Sequence, residues 1–266
     1  MVSQSRDFTV AMNHVKSSTD TRGNRKFHVF KLMEGPCNRS LRLLAQTTGM
    51  LLVPWLITDV HAANQYKVSI GQYRIVEADQ QSYWLNSLGA QYKYRSFKLQ
   101  LTQPVVTRDT EQGRANGLVK ITKQGRLANT FVDVHLRQRL GNADREITLP
   151  THDTGVSIEL SHKLWHAIGF VEMGYWWRER TDYQRKDTAF YSMGLAAFIA
   201  PQWMGGGYID HKPTAYGDLD RSVSVFTQYK LDSHHRFTLV LGQGLEPNSP
   251  DWLAGLQWSY ASTIGQ

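Results

Sequence analysis

The 266-residue chain is long enough for one large domain or two small ones, carries a formal net charge of +7 and contains one cysteine, Cys37. A single cysteine excludes an internal disulfide, and no paired Cys/His spacing marks a zinc site. The charge does not point to nucleic acid. Residues 1–62 hold 8 Lys/Arg and 4 Asp/Glu, leaving 22 and 19 for residues 63–266, which have no basic run or RNA-binding signature.

In chain order, residues 1–32 are polar, basic and without apolar periodicity, and are expected to form a disordered extension. They are either a long lead-in or a stretch upstream of the true start at Met33. An apolar run from Met50 to Ile57 follows, with Arg39 and Arg42 ahead of it and "VHA" before Ala63. This is the pattern of a secretory signal, placed over 33–62 with cleavage after Ala62. The run contains Pro54 and stops at Asp59, short of the ~20 apolar residues of a spanning helix. Pro54 also argues against a buried helix. Cys37 follows Glu34, Gly35 and Pro36, so it is not a lipidation cysteine behind an apolar lipobox.

From Tyr66 onward apolar and polar residues alternate with period two. "RSVSVFTQYKL" sets Val223, Val225, Tyr229 and Leu231 against Ser222, Ser224, Gln228 and Lys230; "GVSIELSHKL" and "WLAGLQWSYA" divide in the same way. Successive side chains of a strand point to opposite faces, so each segment has one apolar and one polar surface. Twelve strands are predicted, near 66–78, 82–94, 97–107, 130–140, 145–151, 155–164, 168–179, 188–200, 203–212, 221–231, 236–245 and 252–261. Asp109–Asn129 is predicted to be a long polar loop. A soluble sandwich or lipocalin-like barrel would turn the apolar faces inward, whereas a membrane barrel turns them to lipid. Several features favour an all-β, transmembrane antiparallel up-and-down barrel over residues 63–266. The strand number is even, short and long connections alternate, and Trp and Tyr cluster at strand ends, as at Tyr66, Trp84, Trp203 and Trp252. No segment has a helical period, as a closed barrel allows.

Three stretches resemble a known family. "ITLPTHDTG" (Ile147–Gly155), "GYWWRER" (Gly174–Arg180) and "GLEPNSPDWLAGLQWSYA" (Gly244–Ala261) are similar to motifs of the outer-membrane barrels of the MetA pathway of phenol degradation. The chain departs from that pattern at "RLANT" (Arg126–Thr130), with Asn129 where the family has Asp, and in ending on "STIGQ" instead of an aromatic residue. The resemblance implies a transporter-like outer-membrane protein of Gram-negative type. It also implies outer-membrane lipid, barrel-insertion machinery and a small-molecule solute as partners. It names no solute.

The polar faces supply candidate lumen-lining residues: Lys98, Lys120, Asp133, His135, Arg137, Arg139, Glu159, Lys163, Glu172, Arg178 and Lys230. They fit either a mildly cationic constriction that favours aromatic or anionic solutes, or a salt-bridge lattice filling a narrow barrel. Neither a catalytic residue nor a metal or cofactor site is expected. Ser161 and His162 are adjacent on a strand and so face opposite ways. Asp210–His211 lacks a second acidic partner, and His234–His235 falls in a turn. The expected function is passive or facilitated passage of small solutes. An outer-membrane enzyme with a rim site, a plugged structural or binding barrel and a soluble periplasmic barrel are the alternatives.

Overall fold

The computed structural model describes residues 58–59, 64–77, 81–109, 111–180 and 184–264. The expected extension over 1–32 and the signal over 33–62 lie outside them, apart from Thr58–Asp59. The strands are β1 (Thr58–Asp59), β2 (Asn64–Val76), β3 (Ser82–Tyr94), β4 (Phe97–Arg108), β5 (Glu111–Arg114), β6 (Leu118–Leu127) and β7 (Thr130–Arg139). They continue with β8 (Thr154–Leu164), β9 (Ala167–Trp177), β10 (Thr188–Ala200), β11 (Trp203–His211), β12 (Arg221–Lys230), β13 (His235–Gly244) and β14 (Trp252–Ile264).

Twelve of these close into an antiparallel barrel. Each pairs with its neighbour in sequence, β4 pairs with β6, and β14 returns to β2 from Trp252↔Val76 to Ile264↔Asn64. The remaining two are short additions. β5 folds back on the upper part of β4, and β1 lies beside Gly125 and Arg126 of β6. One end of the barrel carries tight turns, including Arg95–Ser96, Ala128–Asn129 and Trp165–His166. In each the first residue has a positive φ, 52°, 51° and 49°. Tight primed turns require this backbone, whose twist matches that of the flanking strands. The longer connections gather at the other end.

Alternation decides which face each side chain takes. Val68, Ile70, Leu88, Leu101, Leu195, Val225 and Leu256 are exposed on the outside, forming an apolar belt. Toward the turn end an outward aromatic row runs across paired strands from Trp203 to Tyr229, Phe237 and Trp258. Toward the loop end Arg74 lies 6.0 and 5.8 Å from the ring centres of Trp84 and Trp252. An apolar belt between two aromatic rims is the outer surface of a membrane-spanning barrel.

The inner face departs from the sequence expectation. Its charged groups gather on β6 to β9, but Tyr73, Ile75, Leu85, Val106, Tyr208, Phe226, Val240 and Leu253 form a continuous buried apolar cluster over the remaining strands that reaches Phe170 on β9. In β2 the polarity reverses along the strand, with Gln72 and Arg74 outside and Tyr73 and Ile75 inside. Each such side chain gains roughly 1.5–3 kcal/mol by leaving water, which a solvent-filled lumen would forgo.

Two strand assignments are corrected. The stretch predicted as a loop, Asp109–Asn129, contains β5 and β6 and so belongs to the wall. Conversely, 145–151 forms no strand. The N–H groups of Ile147 and Thr148 both donate to the Asp144 carbonyl, at 3.0 and 3.1 Å, winding that stretch into a turn. Ile147 then packs against the apolar cluster. The predicted total of twelve therefore matches because one missed strand offsets one false one.

Candidate functional site

Inward residues of paired strands form rows. Gln124, Asp133, Glu159, Glu172, Ser192 and Asp210 follow one another across β6 to β11. Asp133, Glu159 and Glu172 are consecutive carboxylates, an arrangement that repels itself unless cations intervene. Arg137 supplies one. It faces Gly155 on β8, so no side chain blocks its reach to β9. There its Nη2 donates to Glu172 Oε1. Ser157 Oγ donates to the same oxygen at 2.7 Å. The Arg137 guanidinium also lies 5.2 Å from the Phe190 ring centre. Gln124 Nε2 donates to Asp133 at 3.0 Å and Ser161 Oγ to Glu159 at 3.1 Å. His135 Nδ1 is 2.9 Å from Thr122 Oγ1, and its Nε2 is 3.7 Å from Glu159 Oε2. The lattice is nearly closed to water: Arg137 is 2% and His135 1% exposed.

A second cluster closes the loop end. Asp153, fully buried, accepts on Oδ2 from Arg139 Nη1 at 2.5 Å, Arg185 Nη2 at 2.8 Å and Arg178 Nη1 at 3.1 Å. Its Oδ1 accepts from the Glu179 N–H at 2.9 Å. Burial alone would raise the Asp153 carboxyl, but the three guanidiniums and that N–H hold it below the usual carboxylate range. Burial likewise pulls the Arg178 guanidinium down, against the opposing effect of Asp153. Arg139 and Arg178 both stack on Trp176, 4.7 and 5.2 Å from its ring centre. The neighbouring 140–153 connection is held inward by Asn116, whose Nδ2 donates to the Leu149 carbonyl at 2.9 Å and whose Oδ1 accepts from the Thr151 N–H at 3.2 Å.

The predicted lumen residues thus separate into groups. Asp133, His135, Arg137, Glu159 and Glu172 meet in the lattice, with Lys98 and Lys120 buried in adjoining rows. Arg139 and Arg178 belong to the upper cluster. Lys163 and Lys230 share the inward parity but are exposed at the turn end, away from both. At that end a cavity of about 20 Å³ lies among Lys67, Ser69, Gln91, Gln100 and Gln257, room for a single water. Sequence reasoning missed Asp153 and Arg185. Asp153 was within reach, since it continues the inward parity of Gly155, Ser157 and Glu159. Arg185 lies in a polar connection without periodicity, where no signal marks it.

The catalytic candidates do not assemble. Ser161 bonds to Glu159 inside, whereas His162 Nδ1 lies 3.0 Å from Thr130 Oγ1 on the outer face. Asp210 pairs with Lys212 at 2.9 Å inside, and His211 stacks on Tyr191 outside. His234 sits against Ser233, and His235 accepts from Trp258 Nε1 at 3.2 Å. Among the described residues, no three His, Cys, Asp or Glu converge as a metal site.

Solved structures share this architecture. An outer-membrane channel from Pseudomonas putida F1 superposes with a TM-score of 0.61 at 10% identity, over 76% of this chain and 96% of that one. The NanC porin aligns at 0.54 with 10% identity, and the KdgM porin at 0.52 with 8%; each covers 73% of this chain and 98% of its own. The fold is that of outer-membrane channel barrels. No protein-family model matches the sequence, and no curated protein matches it.

Proposed function

We propose that this protein is an outer-membrane channel for passive or facilitated passage of small solutes, exported by the signal over 33–62 and related to the MetA-pathway barrels. The observation that carries this reading is the closed twelve-strand wall, apolar outside and charged along half of its inside. Such a wall has no role in water, where its outer belt would be a large exposed apolar patch. The lumen set is proposed to bias passage toward anions: among the described residues nine Lys and Arg but six Asp and Glu side chains are buried.

Planar-bilayer recording tests this. Discrete openings with anion selectivity are expected, together with heat-modifiable gel migration of the membrane fraction. Absence of openings at any voltage would favour the second reading, a plugged structural or binding barrel. That reading draws support from the buried apolar cluster and the nearly inaccessible lattice.

A further inference from the structure

Among the described residues, the upper part of the barrel interior holds more guanidinium than carboxylate. Arg139, Arg178 and Arg185, all buried, direct their guanidiniums to one carboxylate, Asp153, and Arg137 of the adjoining lattice directs its own to Glu172, while the neighbouring Asp187 accepts from the Arg178 backbone N–H at 2.9 Å. Several of their N–H groups lack any acceptor there, namely Arg139 Nε, Arg178 Nε and both Nε and Nη1 of Arg137. A buried guanidinium N–H without an acceptor is costly, and an incoming anion would supply one. Asp153 itself is bound as a ligand would be, by donors from three places in the chain: the end of β7 (Arg139), the residues just past β9 (Arg178 and the Glu179 N–H) and Arg185. Planar guanidiniums converging on one carboxylate, two of them resting on Trp176, make a recognition site for that group.

We propose that Arg139, Arg178 and Arg185 form the anion site of the channel, with Asp153 standing in for the carboxylate of an incoming solute. A small organic carboxylate enters by exchanging with the Asp153 side chain, whose departure also releases the contacts that close the loop end. The exchange makes and breaks hydrogen bonds only. It assigns the solute class, small carboxylic acids in their ionised form, and it rests on the channel reading above.

The test is thermal unfolding of the detergent-solubilised protein with and without benzoate, using benzamide as the uncharged control. Asp153→Ala vacates the site, so millimolar benzoate should raise its midpoint while benzamide does not. The wild type, with its internal competitor, should need at least tenfold more benzoate for the same shift. Asp153→Asn keeps the volume without the charge and should show the same benzoate preference if Asp153→Ala folds poorly. Arg178→Ala added to either variant should abolish the response. Equal shifts with benzoate and benzamide, or none in either Asp153 variant, would overturn the proposal. Bilayer currents separate the two ideas. A benzoate-specific shift without openings retains the site and defeats the channel, whereas openings without the shift do the reverse.

Discussion

Replacing Glu172 by leucine should reveal whether the charged lattice is held pairwise. The side chains of Arg137 and Glu172 are 3% and 6% exposed, so neither can turn to solvent when its partner is lost. Breaking one side of a buried ion pair costs about 3–5 kcal/mol, because the remaining charge stays desolvated. Two features moderate the loss here. Phe190 still offers its ring face to Arg137, and Glu159, directly opposite Glu172, is relieved of a like charge. Against them, the Ser157 hydroxyl, 2% exposed, loses its acceptor, a further cost of about 1–3 kcal/mol. The single variant should therefore lose about 3 kcal/mol, roughly two decades in the folding equilibrium. The double variant Arg137→Met/Glu172→Leu removes both charges from a site backed by Phe190 and should recover most of that loss. Urea unfolding in detergent micelles, followed by tryptophan fluorescence, measures both. A double variant no more stable than Glu172→Leu alone would mean that the two charges do not act as a pair.

Three further outcomes are expected. Asn116→Ala removes two hydrogen bonds that hold 140–153 inward and should speed protease cleavage of that connection in intact barrels, with unchanged cleavage counting against a tethering role. A methyl group at Gly255 would lie 1.8 Å from Tyr73 Cδ1, so Gly255→Ala should lower the unfolding midpoint by the equivalent of about 1–3 kcal/mol, an unchanged midpoint meaning that Tyr73 swings aside without cost. Because the Asp153 carboxyl is held below its ordinary value of about 3.9, its contribution is complete above that pH and is lost as pH falls through the lowered one. Hydrogen exchange around Arg178 should accordingly stay slow at pH 5 and quicken only at more acidic pH. In Asp153→Asn it should be fast throughout.

The wall was largely legible in the sequence. Strands such as β8 and β12 alternate cleanly because one face meets an apolar exterior and the other a polar interior, so period two survives. β6 was missed because its outward face includes Lys123, which donates to Ser96 Oγ at 2.9 Å, and Gly125 beside Val119 and Ile121. Too few apolar residues remain to mark a strand. The reverse error at 145–151 arose because Ile147 and Leu149 alternate by chance within a turn. The apolar half of the interior was hidden for a deeper reason. Parity tells which residues share a face, but whether that face looks onto solvent or onto the opposite wall depends on barrel width and on Ile147 folding in. The Asp153 cluster depends equally on long-range closure: Arg139 and Arg185 lie 46 positions apart, and only the register of β7 to β10 brings them to one carboxylate.

The seam between β14 and β2 joins the two terminal strands along their full thirteen residues, with Asn64 opposite Ile264 at the turn end. A wall that closes on itself this way is a loop without a privileged first strand. The connectivity could be cut at Arg95–Ser96 and rejoined across Asn64 and Ile264 with every rung of the twelve-strand wall retained. Shortening the chain at either terminal strand is a different operation, since it exposes two unpaired edges at once and changes a cylinder into an open sheet.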